Sequence, residues 1–147
     1  MEFLLKVLKT EDQGVSLVLR MGLAIVIFPH GLQKISAFSD MIGILTNTYG
    51  LSSVIAVLVI LIEFFAPLVL ILGLATRLGS ILIAIVMLGA IPFHWDNGFF
   101  MNWFGNQPGE GFQFHIIVIA AAIALALLGG GKWSLDYYLL GNLKRSL

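Results

Sequence analysis

The chain reads as an all-α protein, a four-helix transmembrane bundle with short interfacial helices in its outer loops. Three observations carry that reading: 59% of the 147 residues are hydrophobic, mean hydropathy is +1.01, and the apolar residues gather in four runs. Soluble domains hold ~45–50% apolar residues, and a chain this short has no interior able to hide the excess from water, so lipid takes the solvent's place. The runs are 15–35, 53–74, 78–93 and 112–128. With flanking residues recruited, the helices are expected at about 15–35, 53–74, 76–94 and 112–131, in one domain covering 1–147.

Ahead of the first run, Phe3, Leu4, Val7 and Leu8 share a face beside Lys6 and Lys9, the pattern of an interfacial helix. Helix one follows Glu11 and Asp12, acidic groups suited to a helix N-terminus. It is longer than a signal-peptide core, holds Arg20 inside it and lacks a small-residue cleavage site, so it is expected to remain in the protein. Helix two is long enough to cross the ~30 Å hydrocarbon core at 1.5 Å per residue. Helix three needs Thr76 and Arg77 to reach that length, and Pro92 near its end is expected to kink it. Helix four, also short, is extended by residues 129–132.

The loops are not featureless. In 36–52, Phe38, Met41, Ile42, Leu45 and Tyr49 recur at helical spacing, predicting a short helix on the membrane surface. In 94–111, Trp95, Phe99, Phe100, Trp103 and Phe104 are either an interfacial aromatic belt or the lid of a pocket. Trp133, Tyr137 and Tyr138 form the counterpart belt at the other end.

Lys and Arg near the helix ends set orientation. Lys6, Lys9, Arg77, Lys132, Lys144 and Arg145 lie on one side and only Lys34 on the other. Both termini are therefore expected in the cytoplasm of a bacterial-type cell inner membrane, with the two longer loops outside. Eight basic residues balance eight acidic ones, which leaves no basic face for nucleic acid. Cysteine is absent, which removes thiolate nucleophiles, dithiol exchange and iron–sulfur ligation.

Charge inside a span costs at least ~2.5 kcal/mol on insertion scales and so tends to face the bundle interior. At 100° per residue Arg20, Ala24, Ile27, Gly31 and Lys34 form one stripe, with His30 at its edge. Glu63 lies at the centre of helix two. Counted from the helix ends, Arg20 sits ~8 Å and Glu63 ~16 Å from the inner surface, a gap a long side chain can close. The expected partners are Arg20 and Glu63, either as an ion pair fixing register or with Glu63 as a proton carrier.

The outer end gathers His30, Lys34, His94, Glu110, Gln113 and His115. Metal ligation is not excluded, although no two histidines stand at i,i+3 or i,i+4 and no His-Glu-x-x-His motif exists. A second use is hydrogen bonding and proton exchange with the carbonyl oxygens of a quinone. The plain alternative is that Lys34 snorkels to headgroups and each His satisfies a neighbour.

Arg20, His30-Gly31 with Lys34, and Glu63 are followed by Leu72-Gly73-Leu74-Ala75-Thr76-Arg77, Phe93-His94 and Asn97-Gly98-Phe99-Phe100. Gly111-Phe112-Gln113-Phe114-His115 and Gly129-Gly130-Gly131-Lys132-Trp133-Ser134-Leu135-Asp136 complete the order. In that order the chain resembles the DoxX family of small bacterial and archaeal membrane proteins. The resemblance implies a four-helix membrane bundle tied to quinone or sulfur redox metabolism, some members accompanying quinone and catechol resistance or binding redox enzymes at the membrane. One departure is Gln113, where the family commonly has an acidic residue; Glu110 is near it in sequence.

The expected function is thus a quinone-interacting oxidoreductase, or a membrane subunit of one. His30, Lys34, Glu63, His94 and His115 are the candidate catalytic residues; Arg20, Trp95, Asn97, Phe99, Glu110 and Gln113 are the candidate ligand-binding ones. The electrons would need a bound quinone, a metal or a soluble redox partner. The alternative is a non-catalytic lipid or small-molecule binder, or a scaffold for a soluble redox enzyme. A proton-coupled carrier is disfavoured by four helices without an internal repeat. No helix has a Gly-x-x-x-Gly pair, so a homo-oligomer stays open without a motif to support it.

Overall fold

In the computed structural model, residues 14–139 are described. They form α1 (Val15–Ser36), α2 (Phe38–Asn47), α3 (Ser53–Leu72), α4 (Thr76–His94), a 3-10 turn (Trp95–Asn97) and α5 (Gln113–Leu128). No strand occurs among the described residues. The interfacial helix expected at residues 1–9, and the basic residues Lys144 and Arg145, lie outside them.

Three helical stretches, Val15–Ser36, Ser53–Leu72 and Thr76–Asn97, are long and apolar enough to cross a membrane, and Gln113–Leu128 is a shorter apolar helix. Their outward residues are those that water would reject: Val18 and Ile25 are 71% exposed and Leu127 73%. Such a surface is stable only against lipid. The protein is a multi-pass membrane protein.

The helices close into a ring, α1 packing on α3, α3 on α4, α4 on α5 and α5 back on α1. Leu23, Ile27, Ala66, Leu70, Ile83, Met87, Val118, Ala122 and Leu125 meet at its centre. The buried face of α1 is Ser16, Arg20, Leu23, Ala24, Ile27 and Gly31, close to the stripe expected from helical spacing. α4 runs through Pro92 to His94, and α1 and α3 likewise run through Pro29 and Pro67. α5 stops at Leu128, short of the expected 131, because Gly129 turns to φ 82, ψ −172, a conformation open essentially to glycine.

The stagger of α1 against α3 explains how the polar groups are distributed. A Cβ on Gly31 would overlap the main-chain carbonyl of Glu63, and one on Gly73 would overlap the Arg20 guanidinium, so Gly31 is level with Glu63 and Arg20 with Gly73. Pro67 has no N–H to donate to the Glu63 carbonyl four residues earlier, and the side-chain-free Gly31 lets the α1 backbone lie against that freed oxygen. At one end α3 overshoots α1 by ~7 Å. There α2 covers it, Leu45 packing on Ala56 and Ile60. At the other end α1 overshoots α3, and Gly131 lies against Ser16.

Candidate functional site

The bundle has two polar ends of different character. At the end where α1 begins, Arg20 is 1% exposed and its Nη2 donates to the Trp133 carbonyl at 2.8 Å. Asp136 accepts from the Ala75 N–H (2.7 Å) and the Thr76 N–H (2.9 Å), capping α4, while its own N–H donates to the Gly73 carbonyl. Arg77 Nη1 donates to the carbonyls of Ala126 (2.6 Å) and Leu127 (3.0 Å), closing the last turn of α5. These contacts satisfy the opening N–H groups of α4 and the closing carbonyls of α5, while Arg20 Nε and Nη1 and Thr76 Oγ1 are buried without a partner among the described residues. Arg20 ties α1 to the segment after α5, and Arg77 ties α4 to α5.

The expected pairing of Arg20 with Glu63 is corrected by this geometry. Arg20 lies beside Gly73, ten residues or ~15 Å along α3 from Glu63. The expectation treated the helix ends as level, whereas α1 overshoots α3 there. Glu63 pairs instead with Lys34, whose Nζ is 2.7 Å from Oε1 and 2.5 Å from Oε2. The carboxylate side chain is 6% exposed and the lysine 23%.

That ion pair opens onto a cavity of about 280 Å³ at the end where α1 finishes. α1 contributes Ile27, His30 and Lys34, α3 Glu63, α4 Met87 and His94, and α5 Phe114 and His115; Met101, Glu110 and Gly111 come from the connecting loop. The three histidines thus meet on one cavity, as the topology predicted. The His94 and His115 rings are 4.5 Å apart between centroids. His94 Nδ1 is 2.9 Å from the Glu110 carbonyl, a hydrogen bond only when Nδ1 carries the proton, which leaves Nε2 the acceptor in the neutral ring. His115 Nδ1 and Gln113 Oε1 are buried without a partner among the described residues. Of the two, His115 belongs to the cavity wall, and a polar atom stranded in an apolar-walled pocket is what a polar ligand would satisfy.

Of the expected ligand-binding residues, Glu110 lines the cavity and the others lie outside it. Asn97 donates to the Glu110 carbonyl (3.1 Å), and the Glu110 carboxylate accepts from the Asn102 N–H (2.8 Å). Glu110 therefore lines the cavity while holding the loop. Trp95 stacks on Phe112 with rings 4.9 Å apart and 3° from parallel, and Phe99 meets Phe112 edge-on. Trp95 and Phe99 do not line the cavity, and neither do Asn97, Gln113 and Arg20. Gly111 is wedged against the carbonyls of Gly98 and Phe100, where any side chain would collide. Among the described residues no three His, Asp or Glu side chains converge as metal ligands.

Asp136 was not among the expected functional residues. Its signal was a gap elsewhere: Ala75 and Thr76 open α4 with no local capping side chain, so an acceptor had to come from afar.

The DoxX family model matches residues 15–103, more than half of the chain. The chain belongs to the DoxX family. The DoxX match takes in His30, Lys34, Glu63 and His94, whereas His115 on α5 lies beyond it. A curated relative from Bacillus subtilis (strain 168), described as "Putative oxidoreductase CatD", is 31% identical over 121 residues, covering 82% of this chain and 84% of that protein. No solved structure matches.

Proposed function

We propose that this DoxX protein binds the ring of a membrane quinone at the histidine end of its bundle and handles the protons exchanged there. We place it in a bacterial-type inner membrane with both termini cytoplasmic, working with a soluble redox enzyme as electron partner. The observation that carries the reading is the meeting of Lys34, Glu63 and three histidines on one cavity with apolar walls. The description of the B. subtilis relative as an oxidoreductase supports the redox half.

Bound quinone would supply the two-electron, two-proton chemistry that a cysteine-free chain lacks. Lys34 has three N–H donors and Glu63 takes two acceptor positions against it, so one donor remains for a carbonyl oxygen. His115, buried with a free ring nitrogen, offers a second polar contact, and His94 beside it can pass a proton toward the loop. Glu63 holds the Lys34 ammonium group in place. The cavity suits a ring-sized polar group, because ~300–1,000 Å³ is usual for pockets that bury drug-sized ligands and this one, at about 280 Å³, falls just below that range.

Protein purified gently from its native membrane and extracted with solvent is expected to yield quinone in roughly molar proportion. A tailless benzoquinone or naphthoquinone added to the stripped protein should raise its Tm. No quinone on repeated extraction, together with no thermal or fluorescence response to added quinone, defeats the proposal. Binding without turnover in the presence of the soluble enzyme assigns the chain to the non-catalytic binders instead.

A further inference from the structure

A second cavity of about 510 Å³ adjoins the first and shares two of its residues, Lys34 and His94. Its other walls come from α2 and the segment after it, from α3 and from α4, and are apolar apart from the Tyr49 hydroxyl: Leu45, Ile55, Val59, Ile85 and Phe93 are representative. Ile55, Ile85 and Phe93 are also exposed on the bundle surface, so this groove opens toward lipid. The smaller cavity holds the polar groups and the larger one has almost none. They meet at Lys34 and His94.

We propose that the groove between α2, α3 and α4 seats the isoprenoid tail of the quinone, so that the ligand enters sideways from the bilayer with its ring passing between Lys34 and His94. The inference rests on the quinone reading and adds to it the class of molecule: a long-tailed, membrane-resident quinone rather than a water-soluble one. Three observations converge on it. A cavity of 280 Å³ has room for a ring-sized group but not for a ring with a long tail. The only partly polar points of the larger groove are at its junction with the ring site and at Tyr49, whose ring meets Phe93 edge-on at 5.1 Å. The groove wall on α4 is also cut back to Gly89 and Ala90, and a Cβ placed on Gly89 meets nothing within 4 Å. A continuous polar-to-apolar channel is complementary to an amphiphile whose two ends differ in the same way.

Gly89→Phe fills the groove from open space without touching the ring site, and Gly89→Ala serves as the conservative control. The full chain in lipid nanodiscs should bind a long-tailed quinone at least tenfold more tightly, per mole fraction in the bilayer, than a tailless quinone with the same ring. In G89F that advantage is expected to vanish while tailless affinity stays within twofold; G89A should behave as the parent. A quinone bearing a diazirine at its tail end should label peptides of α2, α3 and α4. Tailless binding with no tail advantage, or labelling elsewhere, overturns the lateral groove and leaves the ring site standing. Labelling of the groove by a diazirine phospholipid that quinone does not displace makes it a lipid site and also overturns the inference. If neither quinone binds, the ring site fails and the tail groove fails with it.

Discussion

Lys34 and Glu63 form a buried pair whose worth is conditional. Removing one partner from a buried ion pair costs ~3–5 kcal/mol because the other charge is left without compensation, whereas replacing both can be nearly neutral. The 23% exposure of Lys34 places this pair at the low end of that range. Lys34→Met is therefore expected to lower stability by about 3 kcal/mol and to abolish ring binding. The Lys34→Met, Glu63→Leu double variant should regain most of the stability and none of the binding, as read by thermal melts and quinone titration in detergent. Recovery of both would reduce the pair to a packing device. Gly31 makes a separate prediction. Its Cβ would overlap the Glu63 carbonyl, so Gly31→Ala must push α1 and α3 apart and should cost ~1–3 kcal/mol, checked by the same melts.

The helices were legible because hydropathy and the 3.6-residue period are written into each one: the α1 stripe from Arg20 to Gly31 is the face that the ring buries. Relative height was not legible. The stagger of α1 and α3 is set by Gly31 against Glu63 and Gly73 against Arg20, contacts between residues far apart in the chain, and so the partner of Glu63 was misassigned. The role of Asp136 was hidden for the same reason, since it caps α4 from 60 residues away. His30, Lys34, His94 and His115 line one cavity because helix direction brings their ends together, whereas Glu63, expected in an inner set with Arg20, joins them only through the stagger. The α4 cap yields its own test. Asp136→Asn keeps the shape and removes the charge facing two N–H groups, and should cost ~1 kcal/mol by melting while leaving tailless-quinone affinity unchanged. A fall in affinity would show that the two ends of the bundle are coupled.

For the molecule as a whole, polarity is divided between the two ends of the bundle. Arg77 and Asp136 spend their hydrogen-bonding capacity on carbonyls and N–H groups of the chain itself and Arg20 makes one bond to the Trp133 carbonyl, whereas the histidine end gathers an ion pair and three imidazoles on one apolar-walled cavity. The proposed topology is testable because the chain has no cysteine of its own. Phe104→Cys, on the aromatic loop at the histidine end, should react with a membrane-impermeant maleimide in intact cells. Trp133→Cys should react only after permeabilisation; the reverse pattern inverts the protein in its membrane.

The most direct measurement on the ring site is a titration of the stripped protein with a tailless quinone, comparing the parent with Lys34→Met and with the His94→Ala, His115→Ala double variant. Saturable binding near one equivalent in the parent, weakened at least tenfold in both variants while Arg20→Lys binds as the parent does, is the predicted result. Equal binding by all four proteins, or binding by none, would contradict a quinone site at the histidine end.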